Sequence, residues 1–207
     1  MEISDTLMKI HASAKNHFMA NGYERSSLRK IVSDVGFTLG AFYGYYGSKE
    51  ELFHALVEET ASGILAFLKE TAVTMNALPD DLKLQQMNDV FSARMPLLVD
   101  FLFQHRDETY LLLRCSDGTR YENFLAGMME EDLQFMAQAA GMKELPLQPL
   151  AQKLLVESYF SLLGQAALEG TTREEIMETM QDIQSVFTDG MVNLLQRNNR
   201  MERGKQE

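Results

Sequence analysis

The chain has 207 residues, 45% of them apolar, and a net charge of −11 at neutral pH. That size predicts one moderately large domain, or a small domain joined to a bigger one, with a real core. No apolar run approaches the ~20 residues of a membrane helix, and the acid-bearing start predicts no secretion signal. The single cysteine, Cys115, cannot close an internal disulfide, which suits a reducing cytoplasm.

Taken in order, the segments read as helices. Leu7, Ile10, Ala14 and Phe18 recur at spacings of three and four, and Gly22 sits where a left-handed cap belongs. Ser27 caps a short helix whose inner face is Leu28, Ile31, Val32 and Val35, and Gly36 ends it. Thr38 caps a second short helix, and Ser48-Lys49-Glu50-Glu51 is a capping box for a long one reaching "NALPD". Apolar-periodic segments follow near 82–104, 107–115, 119–140, 147–169 and 172–198, separated by turn and capping residues. No stretch alternates with period two, so no sheet is predicted. The fold class is therefore all-α.

Charge is unevenly spread. Residues 1–50 hold six Lys/Arg against five Asp/Glu, whereas residues 51–196 hold nine against twenty-three. An acidic body can still present a neutral-to-basic tip to phosphate, because fields beyond a Debye length of ~8–10 Å are screened.

Two short helices joined at Gly36 have the layout of a helix-turn-helix, whose second helix lies in the DNA major groove. This explains the odd string "GFTLGAFYGYYG" at 36–47. Phe37, Phe42 and Tyr46 can pack inward, Gly40 and Gly44 let a sugar-phosphate backbone come close, and Tyr43 and Tyr45 offer hydroxyls to phosphates.

The run "FMANGYERSSLRKIVSDVGFTLGAFYGYYGSKEELFHAL" resembles the N-terminal domain of the TetR-type (tetracycline-repressor-like) transcriptional regulators. The likeness covers about residues 7–57; beyond it, only helicity, length and helix count agree. It implies that Ser27, Thr38, Tyr43 and Lys49 touch phosphates of a double-stranded operator, and that Arg29, Leu39, Gly40 and Tyr45 lie at or near the bases. The chain departs from the family pattern at Leu39, Gly44 and Gly47, and an apolar Leu39 suits a thymine methyl.

In the body, Leu155, Tyr159 and Leu162, with Ile176, Met180, Ile183, Phe187 and Met191, make two helices apolar over more than a narrow stripe. They are expected to pair with the same helices of a second copy, as the resemblance also implies. The alternative is that both helices are internal core. The middle helices are rich in Met and Phe, at Met87, Phe91, Met95, Phe101, Phe124, Met128, Phe135 and Met136. With His105, Tyr110, Arg114 and Tyr121, these are the candidate lining of a site for a small apolar or amphipathic inducer, which the resemblance suggests. Pro96 is expected to kink its helix.

The expected organisation is a three-helix helix-turn-helix domain at 1–50 and a ligand-sensing, dimerising bundle of about five to six helices at 51–207. The helix starting at Ser48 would be the lever between them. The expected activity is a ligand-released, dimeric regulator, most simply a repressor, on a near-palindromic site. The rival is an all-helical protein-interaction module without sequence-specific DNA binding. His11, His17, His54 and His105 have no metal-ligand spacing and Cys115 has no partner in sequence, so no metal, cofactor or enzymatic activity is expected.

Overall fold

The computed structural model describes residues 5–128 and 147–203, and every regular element among them is an α-helix. We label these α1 (Asp5–Arg25), α2 (Leu28–Ser33), α3 (Leu39–Phe42), α4 (Lys49–Asn76), α5 (Asp80–Gln104), α6 (Arg106–Arg114), α7 (Pro149–Glu169) and α8 (Arg173–Arg203). Their contacts divide the described chain into two units. The first holds the residues up to Gly63 together with His105–Phe124; the second holds Ile64–Gln104 and the described residues from Leu125 onward. Helix α4 contributes residues to both.

The first unit is assembled from short helices held by capping and by aromatic edges. Ile10, Ala14 and Phe18 of α1 are fully buried, and the Ser13 hydroxyl donates to the Ile31 carbonyl at 2.8 Å, stitching α1 to α2. Gly22, at φ 75° and ψ 167°, interrupts α1 in a region open essentially to glycine alone. Helix α2 buries Ile31 and Val32, while Leu28 and Val35 are half-buried. After α2 the Phe37 N–H donates to the Val32 carbonyl at 2.9 Å and the Gly36 N–H to that of Ser33 at 3.0 Å. With Gly36 at φ 77°, this is a complete Schellman motif. Helix α2 is thus ended and redirected by backbone geometry that glycine adopts without strain.

Phe18 meets Phe53 of α4 edge-on at 5.2 Å, and Tyr23 meets the same ring at 5.4 Å. Leu52, Phe53, Leu56 and Val57 form the buried face of α4 in this unit. The Ser48 hydroxyl accepts the Glu51 N–H at 3.0 Å, whereas the Glu51 carboxylate accepts the N–H of Gly47, not of Ser48, at 2.6 Å. Helix α6 adds Leu111 and Leu112 to the core and pairs Glu108 with Lys15.

In the second unit α8 packs along α5 and α7. Met87, Met95, Val99, Val156, Phe160, Ile176 and Met180 are among its buried residues. Ile176 and Met180 therefore differ from the expectation of an intermolecular contact: neither has any exposure, because both point into their own chain's core. Helix α5 continues through Pro96 to Gln104. The segment expected to be helical over 119–140 is turn at 121–123 and becomes helical at Phe124. Phe135 and Met136 lie outside the described residues.

Candidate nucleic-acid interface

Helix α3 is four residues long, too short to persist alone. Its geometry is imposed from both ends. At its start, the Thr38 hydroxyl accepts the Ala41 N–H at 3.2 Å. At its end, the Tyr46 hydroxyl meets His11 Nε2 of α1 at 2.5 Å, and Phe42 is fully buried between. Burial and neighbouring Lys15 hold the His11 imidazole below its ordinary value of 6.5, and burial pushes the Tyr46 phenol up. Both shifts favour neutral partners, an uncharged imidazole sharing one hydrogen bond with an uncharged phenol. On the neighbouring helix, His17 Nε2 contacts the Asp34 carboxylate at 2.8 Å, tying α1 to the end of α2.

The opposite side of this clamp is open. Tyr43 and Tyr45 are 57% and 46% exposed, unusual for tyrosines in a segment whose other aromatics, Phe37, Phe42 and Tyr46, are half-buried or buried. Ser27 occupies the cap position of α2 but its side chain makes no capping bond, so its hydroxyl is uncommitted to the backbone it precedes. The Thr38 hydroxyl oxygen accepts the hydrogen bond from the Ala41 N–H and keeps its own proton to donate. Arg29 and Lys30 are exposed on α2, and Leu39 is half-buried. A methyl group at Gly40 would meet nothing closer than Thr38 Oγ1 at 3.8 Å. The fold therefore does not require glycine at position 40.

Lys49 is placed differently. Its ammonium donates to the backbone carbonyls of Tyr23 at 2.7 Å, Ser26 at 3.0 Å and Glu24 at 3.3 Å, and it lies 4.1 Å from the Tyr23 ring centroid. Desolvation lowers its pKa, opposed by the nearby Glu24 carboxylate. Sequence reasoning missed this role and the His11–Tyr46 link, since both join residues more than twenty positions apart.

The candidate inducer residues are not brought to one place. Met87 and Phe91 share a cavity of about 50 Å³ with Leu155, Tyr159, Phe187 and Met191. Of those four, each was expected at a dimer interface. Met95 is buried and Phe101 half-buried further along α5. In the first unit Tyr110 and Arg114 line an open polar hollow with Asn21, Arg25 and Asp117. Tyr121 meets His54 Nδ1 at 2.6 Å and Phe124 edge-on, His105 caps α6, and Met128 is buried. A face of α7 is left apolar and exposed at Leu150, Leu154, Leu155 and Leu162, as is Val186 of α8, while Ile183 is half-buried. Among the described residues no group of His, Cys, Asp and Glu could hold a metal ion, and no helix is long and apolar enough to cross a membrane.

The family of bacterial regulatory proteins designated tetR matches residues 10–56. The HTH-type transcriptional regulator YdgC of Bacillus subtilis is 32% identical over 124 residues, covering 58% of this chain and 56% of that one. The HTH-type transcriptional repressor AcnR of Corynebacterium diphtheriae is 27% identical over 96 residues, covering 46% and 50%. The chain thus spans about half the length of the curated relatives it matches. A crystal structure of a transcriptional regulator of the TerR/AcrR family from Aquifex aeolicus superposes with a TM-score of 0.52 at 20% identity. That superposition covers 86% of this chain and 96% of the other, a likeness of fold.

Proposed function

Because the chain belongs, through residues 10–56, to the tetR family of bacterial regulatory proteins, we propose that it is a DNA-binding transcriptional regulator. It reads a near-palindromic operator as a homodimer, represses, and is released by a small apolar or amphipathic molecule. The observation that carries this reading is the open face formed by Ser27, Thr38, Tyr43 and Tyr45 on two short helices clamped from behind. Hydroxyls on rigid supports suit phosphate oxygens, and phosphate contacts fix register before bases are read. Arg29 and Leu39 are the residues assigned to base edges, Leu39 through a thymine methyl.

The exposed leucines of α7 with Val186 support the dimer. An uncovered apolar face of this kind marks an interaction site, and two-fold symmetry places two reading helices one helical turn, about 34 Å, apart. Release by a ligand follows from linkage: the ligand must prefer a conformation whose reading helices no longer match that spacing. The Met87–Phe91 cavity of about 50 Å³ is far below the roughly 300 Å³ of a ligand site, so binding there requires the surrounding helices to open.

Selection of bound sequences from a random duplex pool by the full-length protein tests the reading. Enrichment of a two-fold-related pair of half-sites about 10 base pairs apart is expected. A pool that stays random, with binding insensitive to salt, would favour the protein-interaction alternative.

A further inference from the structure

A lysine in the first turn of a helix is electrostatically misplaced, because the helix dipole presents its positive end there. Helix α4 nonetheless begins with Lys49, ahead of the favourable Glu50 and Glu51. The compensation is visible: the ammonium's three protons match three carbonyl acceptors, those of Tyr23, Glu24 and Ser26. Those carbonyls line the bend between α1 and α2, which leads directly into Ser27 and Arg29. The same bend is gripped from a third element, since the Tyr23 N–H donates at 3.0 Å to the carbonyl of Cys115, the cap residue of α6. The Glu24 side chain closes over Gly118, where a methyl group would lie 2.9 Å from Glu24 Cγ.

We propose that Lys49 is a positioning residue for DNA reading: it bolts the α1–α2 bend to the start of α4 and acts on the operator through Ser27 and Arg29, not by touching a phosphate itself. This inference rests on the DNA-binding reading above and assigns one residue a different part in it. With every proton directed at a carbonyl, a phosphate contact would have to break part of the cradle. The lowered pKa of the ammonium agrees with a desolvated, inward-facing group. The junction also brings the end of α6 to the reading head through Tyr23, so a displacement of α6 would reach Ser27 along the same backbone.

The test compares wild-type protein with Lys49→Met and Lys49→Arg, all full-length. The probes are a duplex enriched by the wild type from a random pool and a scrambled duplex of equal length. Affinity is measured across a salt series, and hydrogen exchange is read at the Tyr23 and Ser26 amides. A lost phosphate contact flattens the plot of log affinity against log salt by about 0.9 per contact. A lost positioning residue lowers affinity at every salt concentration and leaves the slope alone. The expected result for Lys49→Met is an affinity loss of at least about tenfold with unchanged slope, together with faster exchange at Tyr23 and Ser26. Lys49→Arg, whose guanidinium retains several donors, recovers part of both.

A slope reduced by about 0.9 for each bound protomer, with exchange unaltered, would overturn the proposal. If Lys49→Met does not fold, Lys49→Gln decides, because it keeps N–H donors but no charge. Lowered affinity with an unchanged slope supports the cradle, and wild-type exchange with a slope reduced by about 0.9 per bound protomer refutes it. If the wild type does not distinguish the two duplexes, the DNA-binding reading fails separately. The exchange result then still decides whether Lys49 holds the bend.

Discussion

The two units hold themselves together by different means. In the first, polar side chains pin backbone to backbone: Ser13 to Ile31, Ser26 to His17 and Gly22, and Lys49 to the bend before α2. In the second, the interior is largely methionine, leucine and phenylalanine; both units bury unpartnered polar atoms, hydroxyls of Thr60 and Thr109 in the first and amides in the second. Gln184 is 1% exposed with neither amide atom bonded, and a buried oxygen of Asn88 has no partner. An exposed leucine face on α7 goes with this incomplete interior. A reading head must keep a fixed shape on DNA, so its short helices are over-determined. On the proposed function the second unit has to accept a second copy and a small molecule, and its uncovered leucines on α7 suit the first of these.

The largest effect expected from breaking this contrast lies on the α7 face. Replacing Leu154 and Leu162, both exposed, with glutamate should leave helix content unchanged and convert the protein to monomers in sedimentation equilibrium. Operator affinity should then fall by about 10²-fold or more, since two linked half-site contacts become one. Normal dimers in the double variant would remove α7 from the interface.

Next in size is the turn between α2 and α3. Gly36→Ala meets no atom within 4 Å but must adopt φ 77°, which costs about 1–2 kcal/mol. The urea midpoint of unfolding should drop accordingly, with no change in the slope of the transition. An unaltered midpoint would mean that the Schellman turn is not formed as described.

A change of opposite sign is expected in the body. Gln184→Met removes an unpartnered buried amide while keeping its volume, and should raise stability by about 1–3 kcal/mol. Destabilisation would reveal that the amide is satisfied in solution, by water or by a bound molecule.

The smallest effect is on pH. The native state holds His11 below 6.5, so it binds a proton less readily than the unfolded chain does. That contribution to stability is complete above pH 6.5 and is lost as pH falls from there towards the native value. The urea midpoint of the wild type should therefore decline between pH 7 and 5, and His11→Gln should show a shallower decline.

Much of the head was legible because its signals are local. Gly36, the Thr38 cap and the Ser48–Glu51 box lie within a few residues of what they control, and the same logic recurs at Thr172 and Glu175 before α8. Even there, the glutamate arms reach the residue before the cap, a detail of backbone path that residue types do not encode. Lys49 was placed by resemblance at a phosphate, because its acceptors are carbonyls, which every residue possesses. In the body, the spacing of Ile176, Met180, Ile183 and Phe187 showed an apolar helix but not what lies against each turn. Ile176 and Met180 are interior, while exposed leucines such as Leu150 and Leu154 belong to α7. Periodicity identifies a buried stripe, and tertiary packing decides whether its cover comes from the same chain or another.

The account turns on the face carrying Thr38, Gly40, Tyr43 and Tyr45, and Gly40→Ala tests it most directly. The chain has room for that methyl, 3.8 Å from its nearest neighbour, and alanine favours the helix by about 0.8–1.0 kcal/mol. The variant should be as stable as the wild type or more so, yet bind the selected duplex about tenfold more weakly, because the methyl occupies space the DNA backbone needs. Equal affinity at equal or greater stability would show that DNA does not approach α3.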